Sequence, residues 1–266
     1  MKARHDQHFL INKKAIEKIA GFGSVKGRRV LEIGPGEGPL TNVLLEKGAD
    51  VIAVELDSKL VSHLKKRFFS EINDGKLTLI HGDAIQCDIP SFDIVVANLP
   101  YSASSKITFR LMDIGFEVAV LMYQKEFAQR MIARPGTTGC GRLSVMVQTY
   151  AYVKPMLELS PKSFNPSPEV YSWVLKITPH KPKFQINDRK YYALVVRELF
   201  SHRRKTIGKT LKLSKGALGV DSVEKMLFTL PETILKARAE ALSLEEFAEI
   251  SNMGSGVKKW LPDSVP

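Results

Sequence analysis

Short hydrophobic runs alternate with longer amphipathic stretches between residues 28 and 178, which predicts a parallel α/β sheet with helices on its faces. The runs are rich in β-branched residues, as strands usually are. The predicted strands are 28–33, 50–56, 77–80, 93–98, 117–122, 144–153 and 171–177. The predicted helices are 39–47, 58–71, 104–113 and 124–133. No convincing helix separates the last two strands, so we expect them to form an antiparallel pair at one edge.

The pattern changes after Thr178 and predicts a second domain. Residues 179–188 contain prolines and polar side chains without periodicity, which is typical of a linker. The remaining sequence is helical and holds no further β-rich run. We therefore predict an α/β domain over residues 1–178 and a small all-α domain over residues 179–266.

The charge of the chain favours a polyanionic partner such as nucleic acid, although a generally basic proteome would give the same balance. The 266 residues include 39 Lys+Arg and 28 Asp+Glu, giving a net charge of +11. Residues 181–266 hold 16 of the basic and 10 of the acidic residues, so the predicted helical domain carries +6 of that charge.

Cysteine usage and hydrophobicity set further limits. Cys87 and Cys140 are the two cysteines and have no CxxC spacing, so we predict neither a disulfide framework nor a metal site. The opening ten residues lack a signal-peptide pattern, and no later stretch approaches eighteen uncharged apolar residues. We expect a cytoplasmic protein without membrane contact, and a monomer by default.

A glycine-rich loop follows the first predicted strand and predicts a nucleotide-like ligand. Gly34, Gly36 and Gly38 permit positive φ angles and close approach of a ligand to the backbone. The dinucleotide fingerprint GxGxxG would require glycine at position 39, where the chain has Pro39. A nicotinamide-dependent enzyme is therefore disfavoured.

Acidic residues end the next two predicted strands. Glu55 lies 21 residues after Gly34, where a carboxylate accepts hydrogen bonds from ribose hydroxyls. Asp83 ends the third strand, where it could bind an adenine amino group. A single such acid is more often a helix cap or a loop residue, but the combination favours a ligand. With no run of basic residues for a pyrophosphate, the pattern predicts S-adenosylmethionine and a methyltransferase.

The segment VVANLPY, residues 95–101, ends the fourth predicted strand and resembles the motif of enzymes that methylate exocyclic amines of nucleobases. The side-chain oxygen of Asn98 and the carbonyl of Leu99 could accept both hydrogens of an adenine N6 and aim its lone pair at the methyl group. Tyr101 could stack on the extruded base. Taken alone, the tetrad is a turn with a packed aromatic, but its place after the glycine loop, Glu55 and Asp83 favours catalysis.

Nearly the whole chain resembles the ribosomal RNA adenine N6,N6-dimethyltransferase family, with details typical of its archaeal members. The segments that carry the resemblance are DQHFL (6–10), LEIGPGEGPLT (31–41), VIAVELD (51–57), HGDA (81–84), VVANLPYSASSKI (95–107), FNPSPEVYS (164–172) and LFSHRRKTIGKTLK (199–212). The resemblance implies a class I methyltransferase fold, with a Rossmann-like seven-stranded sheet and a small all-α carboxyl-terminal domain.

The resemblance also implies roles for single residues. His8 and Leu10 would close over the methionine end of the cofactor, and Phe164 would stack on the base opposite Tyr101. The remaining assignments place Gly34 and Gly36 beneath the cofactor, Glu55 at its ribose, Asp83 at its adenine and Asn98 at its reacting end. Two departures concern the shape of the site: Asp6 replaces a usual glycine, and Ser102-Ala103 replace a usual Asn-Ile.

The implied substrate is a pair of adjacent adenines in the 3′-terminal hairpin loop of small-subunit (16S) ribosomal RNA, with a contribution to small-subunit biogenesis. Basic residues at the amino terminus and the successive cations Arg203, Arg204 and Lys205 would bind this RNA and the assembling subunit. If the resemblance to the family is set aside, a charged surface exposed to solvent explains these cations equally well. Because the product is dimethylated, the site must also accept monomethyladenosine.

Two alternatives remain open on the sequence. A DNA adenine N6-methyltransferase would use the same chemistry, but no second target-recognition domain is recognisable. An assembly factor with dispensable methyl transfer would belong to another class, although Gly34, Glu55, Asp83 and Asn98 favour retained activity.

Overall fold

The structure is a computed structural model, and residues 8–255 are described here. Among these residues, the chain divides into two compact units. The first contains the residues up to Ala128 together with Tyr152–Pro179, and the second contains Gln129–Ala151 together with the residues from His180 onward. The boundary after Pro179 falls next to the predicted one at residue 178. Residues 129–151 belong to the second unit, whereas the sequence analysis placed them in the first domain.

A seven-stranded sheet forms the centre of the first unit. The strands of the described residues are β1 (Phe9–Leu10), β2 (Arg29–Ile33), β3 (Asp50–Glu55), β4 (Leu77–His81), β5 (Ile94–Asn98), β6 (Val118–Gln124), β7 (Ala151–Leu159), β8 (Phe164–Asn165) and β9 (Ser172–Pro179). The sheet order is β4-β3-β2-β5-β6-β9-β7, while β1 and β8 form a separate antiparallel pair.

The strand pairings explain where a ligand would bind. Strands β2 to β6 pair in parallel, and β9 runs antiparallel to β6. From the central β2 the chain extends the sheet first through β3 and β4, then returns to place β5 and β6 on the other side. Such a reversal of strand order opens a crevice at the carboxyl ends of the strands. The central strands are buried on both faces, as helix-covered parallel strands must be.

Helices connect these strands much as predicted. Those of residues 8–132 are α1 (Lys13–Phe22), α2 (Pro39–Glu46), α3 (Ser58–Arg67), α4 (Phe69–Asn73), α5 (Ser104–Ile114) and α6 (Lys125–Ile132). The sequence did not predict α1, which begins after Asn12, whose side chain accepts a hydrogen bond from the Ala15 amide. Ile16 and Ile19 bury its apolar face in the core.

The second unit is helical among the described residues, as predicted for its carboxyl-terminal part. Its helices are α7 (Arg142–Tyr150), α8 (Arg189–Ser201), α9 (Ile207–Leu213), α10 (Lys215–Leu218), α11 (Val220–Thr229), α12 (Glu232–Lys236) and α13 (Leu244–Gly254). Its hydrophobic core includes Val145, Tyr192 and Phe247. No helix in the described part of the chain is both long and apolar enough to cross a membrane.

The predicted strand over residues 144–153 is wrong. Residues 142–150 form α7, and the strand begins only at Ala151. The amide of Gly141 donates to Ser144 Oγ at 3.0 Å, which satisfies a free donor at the start of the helix. Val145, Val147 and Thr149 alternate as in a strand, but the helix buries all three. Because more than one face of α7 is buried, its apolar and polar residues alternate as they would in a strand.

Candidate active site

A cavity of about 610 Å³ opens at the carboxyl ends of the parallel strands. Gly34 and Gly36 after β2, Glu55 at the end of β3 and Asp83 after β4 line it. Asn98, Leu99 and Tyr101 line it from the end of β5, and His8 lines it from the amino-terminal segment. The structure thus brings together residues that are up to 93 positions apart in the sequence.

The glycine loop provides a floor without side chains. Gly34 and Gly36 have φ angles of +68° and +62°, which side-chain-bearing residues rarely adopt. A Cβ atom at Gly36 would lie 2.7 Å from Cδ1 of Phe9, so the Phe9 ring lies directly against the loop. Glycine is therefore required at position 36 for its backbone and for its size.

The Glu55 carboxylate is fixed by backbone donors. Its Oε2 accepts from the Gly36 amide at 3.2 Å and its Oε1 accepts from the Asp57 amide at 2.9 Å. Glu55 is only 5% exposed, and burial raises its pKa above the usual glutamate value. Each oxygen can accept a second hydrogen bond, so the carboxylate is able to receive a pair of hydroxyl groups from the cavity.

A second glutamate lies buried beneath the glycine loop. Glu32 Oε2 accepts a hydrogen bond from the Thr41 hydroxyl at 2.6 Å. Burial raises the pKa of Glu32 to about 8. Glu32 is therefore protonated at neutral pH and fixes α2 to β2 without adding charge beside Glu55.

The loop after β4 presents Asp83. Asp83 Oδ1 accepts from the Ile85 amide at 2.8 Å, which shapes the turn and leaves Oδ2 for another donor. Arg110 on α5 donates to the carbonyl of Ala84 at 3.0 Å and to the carbonyl of Cys87. One arginine therefore fixes the loop that presents Asp83, a role that the sequence did not indicate.

The orientation of the Asn98 amide follows from its partner. Asn98 Nδ2 donates to the His8 carbonyl at 3.0 Å. A carbonyl oxygen can only accept, so the amide nitrogen must face His8 and the amide oxygen Oδ1 is left as an acceptor. Asn98 is half-buried at the end of β5 and lines the cavity. This orientation is the one that a donor amine would require.

The Tyr101 ring is held at the mouth of the cavity. Its hydroxyl is 2.7 Å from Oγ of Ser172, a fully buried residue on β9. Its ring centroid lies 5.6 Å from that of the His8 ring, with 33° between the planes. Leu99 has its side chain in the core, so only its backbone is available to a ligand.

The amino-terminal segment is anchored by the loop that contains Phe164. Strand β1 pairs with β8 so that Leu10 lies opposite Phe164, and His8 Nδ1 donates to the Pro166 carbonyl at 2.8 Å. Leu10 and Phe164 are 5% and 3% exposed and pack in the core. The structure therefore does not bring either side chain to the cavity, and the predicted stacking face at Phe164 is buried here. The departure at Asp6 lies outside the described residues.

Several cavity residues were missed by the sequence analysis, among them Phe9, Leu56 and Gln124. Phe9 covers the glycine loop, Leu56 follows Glu55 and is 62% exposed, and Gln124 ends β6. The exposed side chain of Leu56, beside the Glu55 carboxylate, offers an apolar surface that suits the face of an adenine ring. The position of Leu56 directly after Glu55 was the signal that could have identified it.

The predicted RNA-binding cations of the second unit differ in their contacts. Arg203 donates to the carbonyls of Thr138 and Cys140 and forms an ion pair with Glu240 at 3.3 Å. Arg204 and Lys205 are exposed in the turn between α8 and α9, just before α9 begins. Arg203 thus fixes the structure of its own unit, and its two neighbours add exposed positive charge at this turn.

The cysteines and acids show no metal chemistry within the described residues. No group of three or more His, Cys, Asp or Glu side chains in residues 8–255 is arranged to bind a metal ion. Cys87 and Cys140 are both free thiols, and burial raises the pKa of each.

Comparison with known sequences gives extensive matches. The family model described as ribosomal RNA adenine dimethylase matches residues 1–254. A probable ribosomal RNA small subunit methyltransferase A from Methanospirillum hungatei is 56% identical over 95% of this chain and 98% of that protein. A protein of the same name from Methanococcoides burtonii is 41% identical over 93% of this chain and 91% of that protein.

Solved structures give matching results. A dimethyladenosine transferase from Plasmodium falciparum has a TM-score of 0.77 and 30% identity, covering 91% of this chain and 96% of that one. The 23S rRNA methyltransferase ErmE has a TM-score of 0.67 and 22% identity, covering 93% of this chain and 99% of that one. The second likeness concerns the fold alone.

Proposed function

Since the chain belongs to the ribosomal RNA adenine dimethylase family, we propose that it transfers methyl groups from S-adenosylmethionine to N6 of two adjacent adenines in the 3′-terminal hairpin loop of small-subunit ribosomal RNA. The fold is that of the class I methyltransferases, as predicted. The observation that carries the proposal is the fixed amide of Asn98, whose oxygen is left as an acceptor on a residue that lines a cavity suited to a nucleoside cofactor.

The residues present fit S-adenosylmethionine. The cavity volume lies in the range of small-molecule sites, and a Cβ at Gly36 would clash with the ring of Phe9, which also lines the cavity. Glu55 would hold the ribose hydroxyls, Asp83 the adenine amino group and Leu56 the adenine face, while His8 closes the methionine end. When bound, the cofactor supplies an electrophilic methyl group.

Asn98 and Leu99 would orient the target amine. The lone pair of an adenine N6 is delocalised into the ring, which makes it a weak nucleophile. Asn98 Oδ1 and the Leu99 carbonyl would accept its two hydrogens and direct the lone pair toward the methyl group. No strong general base is needed, because the amine becomes acidic as the new bond forms and water can take the proton.

Tyr101 would stack on the extruded adenine. Its hydroxyl is tied to Ser172, so the ring is oriented before the base arrives. The small side chains of Ser102 and Ala103 line the same mouth. Their size supports a second methyl transfer, because monomethyladenosine requires space around N6.

Basic residues in both terminal regions would bind the RNA. Arg204 and Lys205 are exposed and available for phosphates, whereas Arg203 keeps its structural contacts. Lys2 and Arg4 of the amino terminus lie outside the described residues. Unpaired loop bases are easily extruded, which suits a hairpin-loop target.

The test is methyl transfer from labelled S-adenosylmethionine to undermethylated small ribosomal subunits or to duplex DNA, with the modified nucleosides identified by mass spectrometry. We expect dimethyladenosine in RNA alone. Asn98→Ala should lower kcat about a hundredfold, as loss of a positioned transition-state contact does. Asn42→Ala, whose side chain bonds to Glu46 on α2, is the matched control and should retain activity.

Other outcomes would identify other functions. Label in duplex DNA would make the protein a DNA methyltransferase. Subunit binding without label would indicate an assembly factor that has lost its chemistry. We also propose a role in subunit biogenesis, and normal subunit maturation with the Asn98→Ala protein would separate that role from methyl transfer.

A further inference from the structure

An aromatic–lysine cluster lies at the amino-terminal end of β9, and the proposed methyl transfer does not use it. Its members are Tyr171, Trp173, Lys125 and Glu158. Lys125 Nζ lies 5.5 Å from the ring centroid of Tyr171 and 5.7 Å from that of Trp173. The same ammonium forms an ion pair with Glu158 at 3.1 Å.

Hydrogen bonds make the cluster rigid. Trp173 Nε1 donates to Glu158 Oε2 at 2.5 Å, and the Lys125 amide donates to the Tyr171 carbonyl at 2.9 Å. The hydrogen bond from Trp173 and the ion pair with Lys125 lower the pKa of Glu158. Lys125 therefore keeps its charged partner and holds the Tyr171 ring by cation–π attraction.

Tyr171 nevertheless remains open to solvent. It is 47% exposed, and the preceding Val170 is 43% exposed. Tyr123 and Tyr192, by contrast, are fully buried and serve the two cores. A tyrosine that is fixed by a lysine and still half-exposed presents ring surface that the fold itself leaves uncovered.

The cluster is connected directly to the mouth of the cavity. Ser172, the residue between Tyr171 and Trp173, bonds to the Tyr101 hydroxyl at 2.7 Å. Its strand partner is Gln124, which lines the cavity, and Lys125 follows Gln124 in the chain. Adjacent Cα atoms lie about 3.8 Å apart, so the backbone of Tyr171 lies directly beside the serine that holds the Tyr101 ring.

We propose that Tyr171, held by Lys125, is a stacking subsite for the nucleotide next to the adenine being methylated. The inference rests on the proposed function, because it requires an RNA substrate whose target base is extruded. Extrusion leaves the neighbouring base without a stacking partner, and an aromatic ring beside the mouth replaces that partner. With two adjacent adenines, the subsite holds one while the other reacts.

The test compares kcat/KM for undermethylated small subunits that carry either the natural pair of adenines or uracil in place of one of them. Tyr171→Ala should lower kcat/KM about tenfold with the natural pair, within the range for loss of one base–aromatic stack. With uracil as the neighbour, the loss should fall below about threefold, because a pyrimidine offers less surface for stacking. Tyr171→Phe keeps the ring and should restore the wild-type value.

Controls separate this effect from a loss of structure. Tyr152→Ala removes a tyrosine of the same unit that is 57% exposed on β7, and it should leave kcat/KM unchanged. The affinity for S-adenosylmethionine and the Tm of Tyr171→Ala should also match the wild type. An unchanged kcat/KM, or equal losses with adenine and uracil neighbours, would overturn the subsite. An inactive wild-type protein would instead overturn the proposed function, and the subsite with it.

Discussion

Backbone groups hold the side chains of Asn98 and Glu55 in the candidate site. The His8 carbonyl orients the Asn98 amide, and the amides of Gly36 and Asp57 orient the Glu55 carboxylate. Groups fixed in this way need little reorganisation when a ligand binds or reacts. Single substitutions at the glycine loop should therefore affect ligand binding more than folding.

Gly36→Ala should abolish measurable binding of S-adenosylmethionine. Its Cβ would lie 2.7 Å from the Phe9 ring, and the residue would keep a φ of +62°. Either the ring or the loop would have to move, which changes the floor of the cavity. Isothermal titration calorimetry with S-adenosylmethionine measures the effect.

Gly75→Ala is the matched control, because Gly75 has a φ of +71° but nothing within 4 Å of an added Cβ. It should lower the free energy of unfolding by about 1–2 kcal/mol through backbone strain alone and leave cofactor affinity intact. Similar affinities for both variants would show that the contact with Phe9 is unimportant.

The sequence allowed the polar groups of the site to be predicted, because parallel strands align their carboxyl ends and thus bring together Gly34, Glu55 and Asn98. It did not allow prediction of side chains whose direction depends on packing. Leu10 and Phe164 belong to family motifs, yet their pairing in β1 and β8 turns both into the core. Charge alone likewise could not reveal that Arg203 is already bound to carbonyl groups.

At the level of elements, Arg110 joins α5 to the loop after β4. Arg110→Met removes two charge-assisted bonds to carbonyls and should raise the Kd for S-adenosylmethionine about tenfold. Because Arg110 acts only through the loop of Asp83, kcat at saturating cofactor should stay within about twofold of the wild type. Cofactor titration measures the change in Kd, and steady-state kinetics measures kcat.

Arg29→Met serves as the control, since Arg29 begins β2 and donates to Ser91 Oγ at 2.6 Å. Its cofactor affinity should not change. A lower Tm for Arg110→Met without a change in Kd would mean that Arg110 stabilises the fold only and does not position Asp83.

The element predictions succeeded where continuous apolar runs marked buried strands, and failed where a buried helix has an alternating pattern of apolar and polar residues. The strands from β2 to β6 follow continuous apolar runs and were predicted to within two residues at either end. Helix α7 has an alternating pattern because it is enclosed on more than one side, so its period pointed to a strand. Contacts with residues far away in the chain, such as those of α8, decide whether such a segment forms a helix or a strand.

For the whole molecule, the buried Glu32 should make stability depend on pH. Its pKa is about 8 in the folded protein, against the ordinary value of 4.5 in the unfolded chain. At a pH between these two values, the unfolded chain has released a proton that the folded chain keeps. The free energy of unfolding should therefore fall as pH rises from about 5 to 8, with a slope of up to about 1.4 kcal/mol per pH unit. The raised pKa of Glu55 acts in the same direction.

Urea unfolding of the wild type and Glu32→Gln at pH 5, 6, 7 and 8 tests this dependence. The glutamine keeps an acceptor oxygen for Thr41 and cannot ionise, so the slope should be smaller and the variant should gain stability relative to the wild type at pH 8. Glu46→Gln, on the exposed face of α2, should retain the wild-type slope. Equal slopes in all three proteins would contradict the assignment to Glu32.

The division of the chain into two interleaved units has a consequence for protein synthesis. The chain leaves the first unit after Ala128, returns at Tyr152 and leaves again after Pro179. Helix α7 is thus translated before β7 and β9 complete the sheet, and before α8 exists to cover Val145. The second unit therefore cannot form its core until residues after His180 have been translated, and a fragment that ends at Pro179 would leave the apolar side chains of α7 without their core.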